Sequence, residues 1–279
     1  MSYKIVVDSC CELPENFKNR VNCEIVPLGI QVDDYRILDD ETFNQKEFLK
    51  RAAASPNCPK SSCPSPERYM EAFKGEDENI YVVTLSAELS GSYNSAELAK
   101  NLYLEENPKK NIHIFNSRSA SGGETQIAFW VSEQEAKGLS FDEIVQETEK
   151  KIDEMGTYFV LESLEALRKN GRLSNIKAFV ANTLNIKPVM GRTVQGTIIQ
   201  LGQARGMNKA LAKMIEHSLG EIKDTENRRL IITHCNCPER AEEVRRSYLA
   251  KAKFCESYVM DTRGISTLYA SDGGIIVTF

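Results

Sequence analysis

Two rhythms of apolar residues alternate along this chain. Short runs at residues 5–7, 24–28 (interrupted by Pro27), 80–85 and 112–115 are rich in Ile, Val, Tyr and Phe. Such runs, bounded by turn formers, are the pattern of strands buried on both faces, as in a parallel sheet. Between them the spacing lengthens to that of helices: residues 46–54, 67–74, a segment carrying Ser95, Leu98, Ala99 and Leu102, then 124–137 and 141–155. Ser65 stands as a cap before the second of these, with Pro66 at its first helical position. Residues 56–66, punctuated by Pro56, Pro59, Pro64 and Pro66, read as a loop.

The pattern changes around Gly156. Residues 158–161 read as a strand, and Leu164, Leu167 and Gly171 outline a helix with a C-terminal glycine. Ser174 is placed to cap a helix with Phe179, Val180, Thr183 and Leu184 on one face. Residues 186–205 have the features of a β-hairpin turning near Gln195-Gly196. Helices at 207–219 and 238–252 and strands at 230–233, 257–260 and 274–279 complete the chain. The expectation is an α/β protein of two domains. Residues 1–155 form a parallel, doubly wound, Rossmann-like sheet, and residues 156–279 a mixed α/β domain.

Chemistry concentrates where strands end. Asp8-Ser9, the stretch from Ser86 to Ser92 and that from Ser117 to Ser121 each follow a predicted strand. In an open parallel sheet the carboxyl ends of the strands line one crevice, so these turns are expected to face one another there. Ser90, Gly91 and Ser92 precede a helix, where free backbone N–H groups and hydroxyls favour an anion. One Ser suffices as a cap. Several, with a Gly at the tightest point, point to a ligand close to the backbone.

Composition removes some classes. The 279 residues are 41% hydrophobic and 27% charged, ample for a buried core, and the net charge of −5 argues against nucleic acid as a partner. No apolar run approaches the ~18 residues of a membrane span. The first residues read as a strand and not as a signal peptide's apolar region, so a cytoplasmic location is expected. The eight cysteines are scattered along the chain. His234, Cys235 and Cys237 are the best metal or redox candidates, but they lack C-x₂₋₄-C spacing and a second pair, so unpaired thiols and no metal are expected. A G-x-G-x-x-G after a strand and a G-x-S-x-G elbow are both missing, and Thr197 stands where a P-loop starting at Gly191 would need Lys. Of the three histidines, His113 lies in a strand pattern, His217 on a helix and His234 at a strand end. An acyl hydrolase or transferase using Ser90 or Ser92 as nucleophile stays open, without an evident base.

Asp8-Ser9, Ser61-Ser62-Cys63-Pro64-Ser65 and Leu89-Ser90-Gly91-Ser92-Tyr93-Asn94-Ser95-Ala96 together resemble motifs of the DegV family of bacterial fatty-acid-binding proteins. So do Ser163-Leu164-Glu165-Ala166-Leu167, Asn170-Gly171-Arg172-Leu173-Ser174 and Leu184-Asn185-Ile186-Lys187-Pro188-Val189, and the order matches over essentially the whole chain. The resemblance implies a non-enzymatic, monomeric lipid-binding protein without a cofactor, holding one long-chain fatty acid such as palmitate, stearate or oleate between its domains. A fatty acid kinase would then phosphorylate the presented carboxylate for phospholipid synthesis. The family's carboxylate-binding position falls on Ser62, with Ser61 before it, and its second serine motif on Ser90, Gly91 and Ser92. Arg172 and Arg205 match family arginines and are candidates for a kinase-facing partner surface or a phosphate contact. Kinase-coupled members carry a His before a Gly-Pro-Gly turn near the C-terminus. Here that region is Tyr269-Ala270-Ser271-Asp272-Gly273-Gly274, which makes Ser271 or Tyr269 the substitute contact and leaves another small lipid-like carboxylate open as ligand.

Overall fold

A computed structural model describes residues 2–174 and 185–279. The chain begins with β1 (Tyr3–Asp8), α1 (Glu15–Lys18), β2 (Cys23–Val26), β3 (Gly29–Val32), β4 (Tyr35–Leu38), α2 (Gln45–Ala54), β5 (Lys60–Ser62) and α3 (Pro66–Ala72). It continues through β6 (Asn79–Thr84), α4 (Ser92–Glu106), β7 (Asn111–Asn116), α5 (Gly122–Ala136) and α6 (Phe141–Glu154). Four strands form a parallel sheet in the order β2-β1-β6-β7. Alternation along these strands sends Val6, Ile80, Val82 and Ile114 to one face, against Tyr69, Phe73, Ala96 and Ala99 of α3 and α4. Ile5, Val7, Tyr81, Val83 and Phe115 face the other way, onto Ile127, Val131, Ile144 and Ile152 of α5 and α6. Helices on both faces make the sheet doubly wound.

Two details differ from the sequence reading. In α4 the buried face carries Ala96, Ala99 and Tyr103, while Leu98 and Leu102 are 50% and 41% exposed. The helix is pinned at its start by Ser92, whose hydroxyl bonds to Asp8 and Tyr69, and small alanines let it lie close to the strands. The middle of the predicted loop 56–66 is β5, which pairs with β3 in a small antiparallel sheet, β4-β3-β5. A polar edge strand this short has no periodicity of its own, and its pairing with β3 creates it.

The second half runs through β8 (Thr157–Val160), α7 (Glu165–Lys169), β9 (Ile186–Arg192), β10 (Ile198–Arg205), α8 (Met207–Glu221), β11 (Arg229–His234), α9 (Pro238–Leu249), β12 (Glu256–Asp261), α10 (Gly264–Ala270) and β13 (Ile275–Thr278). Its six strands form one mixed sheet, β10-β9-β8-β13-β11-β12, in which only β11 and β12 pair in parallel. The hairpin β9–β10 turns at Gly196, whose φ of 92° suits glycine. One face packs on α8 and α9 through Tyr158, Val160, Leu230, Ile232 and Val277. The other approaches α5, and Ile231 joins the core beneath the parallel sheet. The expected division between residues 155 and 156 falls in the turn between α6 and β8. The helix expected after Ser174 lies outside the described residues. Among those described, no helix is long and apolar enough to cross a membrane.

Candidate functional site

A cavity with about 820 Å³ of empty space, its open part included, lies where the carboxyl ends of the parallel strands meet β8, β9 and β10. Its walls are largely apolar: Leu28, Leu85 and Ile265 on one side, and Phe159, Leu161 and Ile198 on the other. Thr157, Phe159 and Leu161 line it together because alternate residues of an extended chain share a face. Alternate side chains of β8 thus run along one wall, and polar groups gather in two places around it.

At the Leu161 end stand Ser61, Ser90, Arg172 and Tyr269. Ser61 Oγ and Tyr269 OH are 2.8 Å apart, and the Arg172 guanidinium lies 5.5 Å from the centre of the Tyr269 ring. Gly171, at φ +80°, ends the α7 turn and redirects the chain so that Arg172 points back toward the cavity. Arg172 is held by the carbonyls of Leu89 (Nε, 3.0 Å) and Asn170 (Nη1, 2.6 Å). Burial raises the pKa of Tyr269 despite its bond to Ser61, keeping the phenol a neutral donor. Ser90 Oγ accepts the backbone N–H of Ser92 at 3.2 Å, which leaves the hydroxyl proton for another acceptor. Hydroxyls and a fixed guanidinium around an apolar mouth suit a carboxylate.

Register decides between the two adjacent serines. Ser61 pairs with Ile30 and Ser62 with Gly29, so Ser61 shares the buried face of Ile30 and Ser62 the opposite one. Ser62 is exposed, and its hydroxyl rests where a β-carbon on Gly29 would stand, at 2.4 Å. Ser61, not Ser62, lines the cavity. Ser92 is fully buried, donating to Asp8 Oδ2 at 2.6 Å and bonded to Tyr69 OH at 2.6 Å. Gly91 is the N-cap of α4, exposed beside Cys63 and off the cavity lining. Tyr269 lines the cavity and Ser271, the C-cap of α10, does not. Arg172, expected on a partner surface, faces the cavity, and Arg205 is exposed at the end of β10. Asp8 and Ser9 hold loops: Asp8 accepts from the amides of Cys10 and Leu85, and Ser9 Oγ from that of Leu28.

The opposite end of the cavity was not anticipated as a unit. Ser119 Oγ and Thr157 Oγ1 meet at 2.7 Å, with Arg118 and Arg192 beside them. Arg192 donates to the main chain of Met155, Ile152 and Arg118, and burial together with Arg118 lowers its pKa to about 10. Ser119 lay in a Ser-rich turn, but Thr157 looks like any strand residue until its alternation with Phe159 and Leu161 is placed on the wall.

None of the three histidines lines the cavity, so Ser90 has no imidazole base there. Ser92 is committed to Asp8. Burial raises the thiol of Cys235 to about 12 and that of Cys237 to about 11, and lowers the pKa of His234. Among the described residues no cluster of three or more His, Cys, Asp or Glu is arranged to hold a metal.

Residues 2–277 match the family model described as "Uncharacterised protein, DegV family". The chain belongs to the DegV family. A DegV domain-containing protein of Streptococcus gordonii is 37% identical over 289 residues, covering 100% of this chain and 99% of the relative. A crystal structure of a DegV family protein from Ruminococcus gnavus with vaccenic acid superposes at a TM-score of 0.97 with 54% identity, covering all of both chains. The Streptococcus pneumoniae Fatty Acid Kinase (Fak) B3 protein, loaded with linoleic acid, superposes at 0.88 with 33% identity over 100% of this chain and 99% of its own. The architecture described above is thus a DegV fold.

Proposed function

We propose that this DegV protein binds one long-chain fatty acid, its carboxylate at Ser61, Ser90, Arg172 and Tyr269 and its tail along β8. The observation that carries this reading is a largely apolar cavity with hydroxyls and a guanidinium gathered at one end. Each buried methylene contributes about 0.8 kcal/mol, so a ~16-carbon tail supplies on the order of 12 kcal/mol before the costs of association. The tail provides affinity and the polar end fixes direction. The vaccenic and linoleic acids in the related structures are ligands of this kind.

Binding rather than turnover fits a cavity whose serines have no imidazole base beside them. In this reading the protein is a cytoplasmic monomer that needs no metal or cofactor and presents the carboxylate to a kinase, with exposed Arg205 on the partner-facing side. The Fak B3 protein, by its own name, supports that role. Mass spectrometry of lipid extracted from the purified protein, followed by titration of delipidated protein with saturated and unsaturated acids, tests the binding. One equivalent of a long-chain acid is expected. Protein that carries none and takes up none would overturn the reading. Acyl-phosphate formation by an added fatty acid kinase, present only with this protein, tests the presentation step.

A further inference from the structure

Behind the Ser119–Thr157 end of the cavity lies a second space. Met155 is only 7% exposed, and its Cε lies 3.3 Å from where a β-carbon on Gly123 would stand. Ser119 Oγ lies 2.0 Å from that same point, so Ser119, the bare backbone of Gly123 and the Met155 methyl form one thin wall. Beyond the wall Met155 lines another cavity, of about 630 Å³ including its open part, with Ile127, Trp130, Thr148, Phe279 and charged side chains that include Lys151 and Arg228. Trp130 Nε1 and Thr148 Oγ1 are buried there with no hydrogen-bond partner among the described residues. The main chain of Met155 is clamped by Arg192, whose Nε donates to its carbonyl at 3.0 Å. The wall thus has a fixed backbone, with Ser119 on the cavity face and the flexible, unbranched Met155 side chain behind it.

We propose that Met155 is the end stop that sets the length of acyl chain this cavity accepts, and that the Trp130–Thr148 cavity is the space a longer chain would enter without it. The inference rests on the fatty-acid reading above. In the native protein, affinity for saturated acids should rise roughly fourfold per methylene and then fall once the terminal methyl meets the wall. Met155→Ala removes the atoms that back Ser119 and should shift that turning point by about two to three methylenes toward longer chains. Met155→Val is the gentler change: Met155 has extended φ and ψ of −73° and 133°, which suit a β-branched residue, and the loss of Sδ and Cε should shift the turning point the same way by less.

The experiment is a series of titrations of delipidated native and variant protein with acids of increasing length, with circular dichroism confirming the fold. A turning point that moves in the order native, Val, Ala supports the proposal. Folded variants with an unmoved turning point overturn it and leave the fatty-acid reading standing. If Met155→Ala does not fold, Met155→Val decides alone. A native protein that binds no acid of any length would remove both readings.

Discussion

Ser61 and Ser62 are identical side chains one position apart, and their surroundings assign them opposite work. Ser61 faces the cavity and meets Tyr269, whereas Ser62 is exposed over Gly29. A hydrogen bond to a charged carboxylate is worth about 1.5–3 kcal/mol, so Ser61→Ala and Ser90→Ala should each weaken fatty-acid binding roughly tenfold to a hundredfold. Ser62→Ala should change it by less than about threefold. Titration of the three variants decides, and a larger loss at Ser62 than at Ser61 would reverse the assignment. Ser92→Ala should act on stability instead. It removes the hydroxyl that joins Asp8 to Tyr69 in a fully buried site, which should cost about 1–3 kcal/mol in urea unfolding.

At the scale of elements, what could be read from the sequence followed from what each element needs. The central strands β1, β6 and β7 are buried on both faces and announce themselves as apolar runs. The helix starting at Pro66 and the hairpin turning at Gly196 carry their own punctuation. β5 and α10 carry none, being three and seven residues long, yet they deliver Ser61 and Tyr269 to the cavity. Which of two adjacent serines faces inward is a property of pairing with Gly29 and Ile30, and a shift of one residue inverts it. The hydroxyl-rich turn after β6 was visible, but the division of labour within it, Ser90 at the cavity and Ser92 in the core, depends on Asp8 arriving from another strand. Glycine choice in helices yields a test at this scale. Gly122 opens α5 where a β-carbon would stand 2.7 Å from Ile231 Cγ2, while Gly220 in α8 has open space around it. Gly122→Ala should therefore destabilise by about 1–3 kcal/mol through overpacking, and Gly220→Ala should stabilise by about 0.5–1 kcal/mol. Urea midpoints of the two variants moving in the same direction would contradict this account.

Across the whole molecule the sheets are joined by α5 and by buried carboxyl groups. Asp39, between β4 and α2, accepts from the amides of Gly264 and Ile265 and so holds the start of α10. Glu12, just after β1, accepts from Ser121 Oγ at 2.6 Å and from the amide of Arg263 at 3.2 Å, and Ser121 in turn meets Thr233 of β11. Glu12 is 2% exposed, and burial raises its carboxyl to about 7. Glu124 beside it is pushed well above the ordinary carboxyl range by burial and then by Asp8. A carboxyl that holds its proton more tightly in the folded chain stabilises the fold at low pH. That contribution is lost as pH climbs from the unfolded value near 4.5 to about 7. For Glu12 the loss amounts to about 3 kcal/mol once the group is ionised in place. Glu12→Gln keeps an oxygen acceptor and a similar shape but cannot ionise. Native protein should lose urea resistance between pH 5 and 7.5 more steeply than Glu12→Gln, with the two curves closest at the acidic end. Parallel curves would mean that Glu12 ionises without strain and that the joint between the two sheets does not depend on its proton.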